Sequence, residues 1–426
     1  MMANGATPES HRLGELGSKV FFIAGLIGLA GLLISFAIAA LSEHGWETFG
    51  RSYLTAFMFV LSLSLGAFFF TALNHATRAG WVVVLRRFSE AVASNFVWLW
   101  ILFIPLAACM YWTHMYHWTD AEALAHDELL AGKTPFLNKP FWLLLAAAFF
   151  GIWFLFSRFF YNNSVAQDTT GDVSLTHRMQ RMAPLALIVY VFTQSYASMH
   201  WMMSLEPHWF STMYPVYFFA GTCCAYFSLQ IIIMYVLQRA GKLKDEITLE
   251  HYQDAGKLLF AFGIVFWAYI AFSQYMLIYY ANIPEETGWY LIRQMGGWGR
   301  ISLLLLVGHF VVPFLILLSK HPKRIKGVIA GIACWMLFMH YIDLYWLIMP
   351  RIPTEAMATA ESYNQLAEMA AAGDIDVGYG WNLLDLTCLI GVVGIYLAGT
   401  AHRLKNCSLI PEQDPRLSES LVFENV

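Results

Sequence analysis

The sequence predicts an all-α polytopic membrane protein with ten transmembrane helices and both termini cytoplasmic. Two observations carry that expectation. Ten apolar runs lie near 20–41, 54–76, 92–116, 141–161, 184–203, 213–237, 257–281, 301–319, 327–349 and 381–401. Each approaches or exceeds the roughly 20 residues that a helix needs to cross about 30 Å of hydrocarbon. The basic residues are sorted around these runs. When the connections are assigned alternately to two sides, one side holds only Arg51, Lys133, Lys139, Arg293, Arg300 and Arg351, and the other 19 of the 25 Lys and Arg share the side of the termini. Cytoplasmic loops carry such an excess. A missed or invented span would scramble the split, so the asymmetry also supports the count. Composition agrees, because 58% apolar, 16% aromatic and only 13% charged residues lie far from the soluble globular pattern.

Taken in order, the first 18 residues are polar and include Glu9 and Glu15. The run after them is too long for a signal-peptide core and no small-residue cleavage site follows it, so it reads as a retained span. Residues 80–90 form an amphipathic stretch with Arg86 and Arg87, expected at the headgroup boundary. Two longer loops fall on the side opposite the termini. Residues 117–139 are acidic, with Asp120, Glu122, Asp127 and Glu128, and 351–379 contain an Ala/Glu/Met-rich stretch from Glu355 to Ala372 that reads as a surface helix. The tail, 403–426, is polar with two prolines and would either dock or stay disordered. None of the six cysteines forms a CxxC pair and five sit inside apolar runs, which argues for small buried hydrophobes over a disulfide framework, zinc site or iron–sulfur site.

Met199-His200-Trp201 in the fifth run echoes Met339-His340-Tyr341 in the ninth, each followed by a proline, Pro207 and Pro350. The echo pairs spans two to five (54–203) with six to nine (213–349) as two four-helix bundles in a parallel repeat. The runs at 20–41 and 381–401 are then peripheral helices.

Ionisable groups at membrane depth cost roughly 2.5–3.5 kcal/mol or more and face the bundle or a water path. His340 and Asp343 are three apart on one helical face near mid-membrane, and His309 lies at comparable depth. Thr193, Tyr196 and His200 share a stripe of the fifth run. Tyr269 and Ser273, with Gln274 and Tyr275 beside them, mark the seventh. Ser64, Thr71 and His75 line the second toward the cytoplasm. Asp385, His114, His117, Glu206 and His208 lie toward the other side. Imidazole both takes and gives protons near neutral pH, so these groups form a candidate proton path in two halves meeting near His309, His340 and Asp343. The bland alternative is that each polar group satisfies a neighbouring helix or a backbone turn broken at Pro105 or Pro313. No run carries the paired, widely spaced histidines of a bis-histidine haem helix. The aromatic residues suit interfacial belts and a quinone headgroup equally. A stand-alone secondary transporter is a second functional class, although no polar cluster here suits a polar solute at the midplane.

The most specific motif runs from Ser204 to Gly221: Ser-Leu-Glu-Pro-His-Trp-Phe-Ser-Thr-Met-Tyr-Pro-Val-Tyr-Phe-Phe-Ala-Gly. It resembles the corresponding junction of the NrfD/polysulfide-reductase-type membrane subunits of bacterial alternative complex III, a quinol:electron-acceptor oxidoreductase. Of the two related subunits of that type, it looks like the smaller, ActF kind. The resemblance covers essentially all ten spans. It implies two four-helix bundles flanked by two peripheral helices in a bacterial inner membrane. The implied partners are an NrfD-like sibling, an iron–sulfur protein and cytochrome c subunits, which hold the iron–sulfur clusters and haem c. The matching residues are Glu206, Pro207, His208 and Trp209 at the junction, and His340 with Asp343. The sibling is the better candidate for the quinol pocket. This chain has no motif that must bind a redox centre, so no catalytic residue is assigned; menaquinone or another quinone is the one cofactor it could take.

Overall fold

The computed structural model describes residues 9–42, 45–351 and 363–425. These are helical, with no strand among them. Ten helices are long and apolar enough to cross a membrane: α1 Glu9–Leu41, α2 Gly45–Thr77, α3 Val83–Trp112, α4 Lys139–Thr170, α5 Val173–Leu205, α6 Tyr214–Arg239, α7 Leu249–Ala281, α8 Trp298–Leu318, α9 Lys326–Ile348 and α10 Leu383–Leu404. The chain therefore reads as a multi-pass membrane protein, and the ten expected runs each fall in one of these helices. Short helices fill the long loops, including Ala121–His126, Glu128–Gly132, Pro284–Ile292 and Tyr363–Ala372. The last covers the end of the expected surface helix; residues 352–362 lie outside the described residues.

The central element is α2, buried along nearly its whole length. It packs on α1, α3, α5, α6, α9 and α10. The second hub, α6, packs on α2, α5, α7 and α9. By contrast α1 turns Phe22, Leu26, Leu29 and Leu33 outward, as expected where hydrocarbon is the solvent. Its inner stripe meets α10 through glycines. A methyl group on Gly28 would sit 2.5 Å from the Ile395 amide nitrogen, so the two backbones touch, the usual route to dispersion contacts between membrane helices.

The structure corrects the expectation for residues 80–90. Val83–Ala93 presents no exposed amphipathic face, since every residue in it is buried. Its charges are paired inside the protein. Arg86 Nε donates to Glu90 (3.0 Å) and its Nη2 to Asp414 (2.6 Å), while Arg87 Nη2 donates to Asp168 (2.7 Å). Asp168 and Asp414 lie 81 and 328 residues away in sequence, which is why the local pattern gives no hint of them. The tail supplies one of these partners because it docks on its own chain. Leu409 and Ile410 are buried, the Leu409 amide donates to the His11 carbonyl (2.8 Å), and Glu412 lies 3.0 Å from the His11 ring. These contacts hold both terminal segments on one face, the termini face.

Candidate functional site

Five helices bring polar side chains to one layer. From α9, Asp343 and His340 project inward, one turn apart, both fully buried. The Asp343 carboxylate accepts from Tyr217 Oη of α6 (2.5 Å) and from Trp267 Nε1 of α7 (3.0 Å). Trp267 stacks on His309 of α8, with ring centroids 3.9 Å apart and planes at 5°. His340 lies 2.9 Å from Ser62 Oγ of α2. His309 is thus joined to Asp343 through the indole of Trp267.

The tautomers follow from these partners. The Ser62 hydroxyl also lies 2.6 Å from the Phe59 carbonyl, and with its hydrogen directed there it accepts from His340 Nε2. His309 Nε2 faces the Gly263 carbonyl (3.3 Å), which can only accept. In both rings the proton therefore sits on Nε2. Each Nδ1 is then a buried acceptor with no hydrogen-bonding partner among the described residues. Such groups are rare in folded proteins. Gly221 makes room for His340, because a Cβ there would lie 2.8 Å from its Cε1.

Both α7 and α8 switch to π-helix where they flank this layer, at Leu259–Phe266 and Leu305–Val311. A π turn adds a residue per turn and re-aims the side chains around it, and such turns gather at functional sites. Here one π segment contains His309 and the other ends at Trp267. A cavity of about 530 Å³ opens between the two helices, and its lining includes Tyr217, Trp267, Tyr290, Arg293, Ser302 and Trp346. Tyr269 and Phe272, also on its wall, are exposed on the outer face, so the cavity opens sideways.

Toward the face opposite the termini stands Arg293, fully buried. Its guanidinium lies 3.4 Å from the Trp289 ring centre and donates to the carbonyls of Trp289, Trp346 and Leu347. Burial lowers its pKa to about 10, opposed by the charge of Glu206. Glu206 is also the chief opposing charge for Arg51. Trp209 stacks on the far side of Trp289 at 4.3 Å and 9°. The Glu206–Trp209 junction is therefore built against Arg293 and the ring it stacks on.

The same junction is tied to the acidic loop, where His208 bonds Asp127 and Lys133 bonds the Pro207 carbonyl. The Leu130 amide and His208 hold the Asp127 carboxyl below the usual carboxylate range. A depressed carboxyl pKa contributes stability above its unfolded value, about 3.9, and loses it as pH falls through the folded value. Limited proteolysis of the 121–135 loop should therefore accelerate as pH falls below about 4. In Asp127→Asn that acid step should be absent.

Several of the residues expected in the proton path stand elsewhere. Tyr196 is not in the inner stripe: it is 45% exposed while Thr193 and His200 are buried, because the helical turn sets it at the stripe's edge, where it meets Phe136. Thr193 accepts from Trp153 Nε1 (2.8 Å) and donates to the Val189 carbonyl. Thr71 donates to Ala67 of its own helix. His200 is buried between Phe136 and Phe141, and counting three on from it, as from His340 to Asp343, reaches Met203. Only the second half of the sequence echo keeps an acid. Asp385 caps α10, accepting from the Asn382 amide (2.9 Å) and from Ser52 (2.5 Å). His75 belongs to the Arg86–Arg87–Glu90 cluster, 4.0 Å from Glu90. Five of the six cysteines are buried and Cys334 is exposed. Among the described residues no three His, Cys, Asp or Glu converge as a metal set.

Sequence reasoning missed Tyr217, Trp267, Ser62, Arg293 and Glu90. Tyr217 stood within the quoted junction motif. Glu90, three and four residues beyond two arginines in an apolar context, carried an ion-pair spacing. The other three carry no local signal. No protein-family model matches this chain, and no curated protein matches it.

Proposed function

We propose that this chain is a proton-carrying membrane subunit of a bacterial respiratory quinol:electron-acceptor oxidoreductase, of the alternative complex III kind, seated in the inner membrane. The observation that carries the reading is the buried layer in which Asp343 is held by Tyr217 and Trp267, beside two imidazoles each with an unused Nδ1. Tyr217 and Trp267 donate to the carboxylate, and the two Nδ1 atoms are the acceptors a passing proton needs. His309 reaches the acid through Trp267, so proton transfer between them proceeds by rearrangement of that stack or by water. Arg293 and Glu206 provide the polar route to the opposite face. The electrons stay with the partner subunits.

Packing of α2 through α5 and of α6 through α9, joined along α2 and α6, supports two four-helix bundles, with α1 and α10 paired at the side. The basic split supports cytoplasmic termini. The sideways aromatic cavity beside Tyr217 and Trp267 favours a second reading, in which a quinone headgroup binds this chain directly. It has the size and lining of a small-molecule site, with Arg293 and Ser302 as polar anchors.

Copurification tests the assignment. Gently solubilised full-length chain should elute with subunits carrying haem c and iron–sulfur clusters. Elution as a lone carrier would overturn it in favour of a transporter. In the copurified complex, a photoreactive quinone analogue that labels the α7–α8 wall would establish the second reading, and labelling confined to a partner would remove it.

A further inference from the structure

Beneath the tail lies a charge cluster outside the Asp343 layer. Two guanidiniums, Arg86 and Arg87, meet three carboxylates: Glu90 and Asp414, whose side chains are buried, and Asp168, whose side chain is 13% exposed. Arginine keeps its proton in proteins, so the five groups together carry one negative charge in excess. An uncompensated buried charge is not tolerated, and the site takes a proton instead. One base is placed to accept it. His75 of α2 directs Nε2 at Glu90 Oε1, 4.0 Å away, and Nε2 has no hydrogen-bonding partner among the described residues. Its ring lies parallel to Phe160, at 5.3 Å and 12°, which leaves the Nε2 edge facing the carboxylate.

The other groups around Glu90 are engaged differently. Asp168 of α4 accepts from Arg87 and from the Glu412 amide. Asp414 accepts from Arg86 and from the Arg416 amide. Glu412 faces His11 and Ser408. Tyr226 of α6 and Cys407 of the tail border the cluster.

The lid over this cluster is the chain's own tail. The Ser408 carbonyl accepts from Arg87, Asp414 holds Arg86, and Ser420 bonds the backbone of Trp81 and Val84. We propose that Glu90 and His75 hold one exchangeable proton between them, and that the C-terminal tail, latched by Asp414 on Arg86, controls its exchange with solvent at the termini face. The balance is a single proton taken from water by the pair and returned to water or passed along α2; no electron moves. Local opening of a short docked segment held by a few polar contacts is the kind of motion that gates such exchange. Only the link to turnover rests on the proton-carrying reading; the protonation and its lid do not.

Infrared difference spectroscopy of the purified complex, stepped in pH and transferred from H₂O to D₂O, tests both halves. A proton-binding signal assigned to carboxyl or imidazole should disappear in Glu90→Gln and in His75→Gln. These variants are measured separately, so that either suffices if the other fails to assemble. In Ser420→Ala, which loosens the tail's hold on the Trp81 and Val84 backbone without changing the charge of the cluster, the signal should persist while its exchange into D₂O speeds up about tenfold. A signal that survives both pair variants overturns the proton pair, and unchanged exchange in Ser420→Ala overturns the lid. A site that behaves as expected while proton flow is independent of Asp343 would leave this inference standing and remove the functional reading instead.

Discussion

Arg87→Met should destabilise the protein by about 3–5 kcal/mol, the cost of stripping one partner from a buried ion pair. Arg87 is fully buried, donates to Asp168 and Ser164, and lies 3.2 Å from Glu90. Methionine fills most of its volume but leaves Glu90 with Arg86 alone and Asp168 with no guanidinium. With the shared proton counted, the cluster therefore goes from balanced to one buried negative charge in excess. Thermal unfolding in detergent, followed by size-exclusion of the surviving fraction, should show a large drop in midpoint. The double variant Arg87→Met/Glu90→Met should recover a good part of it, because removing both partners of a buried pair is often close to neutral. A single variant as stable as the parent would mean that the cluster is hydrated and its charges are worth little.

That cluster also shows where the sequence stops being legible. Ten spans could be read because length and apolarity are local properties of a helix in lipid. Asp343 and His340 could be read because a carboxylate at mid-membrane must face inward, wherever its partners are. The partners themselves are a matter of tertiary packing. Tyr217 and Trp267 come from two other helices, and a tyrosine or tryptophan in an apolar run looks like core or belt until its polar atom is located. Arg86, Arg87 and Glu90 were visible as an amphipathic turn, yet the residues that neutralise them sit in α4 and in the tail. The depth of His309 was readable, but its stacking on Trp267 depends on a π turn in each helix, which period-3.6 reasoning does not anticipate. Tyr196 failed for the opposite reason: i, i+3, i+7 spacing defines a stripe about a third of the helix wide, and its edge already faces outward.

Asp343→Asn is the second variant with a large expected effect. Asparagine keeps the shape; its one carbonyl oxygen can accept from Trp267 while its amide group donates to the Tyr217 hydroxyl, so under the proposed function the complex should assemble and quinol oxidation should persist at least in part. What disappears is the group that can hold a proton. The linked proton transfer should fall by about 10²-fold, the low end of the range for deleting a positioned proton-transfer group. Trp267→Phe removes one donor and the stacking indole without touching the acid, and should give a smaller loss in the same direction.

The most direct measurement is proton release against electron flow in liposomes containing the purified complex, parent and Asp343→Asn side by side. The account predicts that electron flow continues in the variant while the proton-to-electron ratio drops. An unchanged ratio at unchanged electron flow would contradict it, and would leave Asp343 as a structural anchor for Tyr217 and Trp267 with no part in carrying protons.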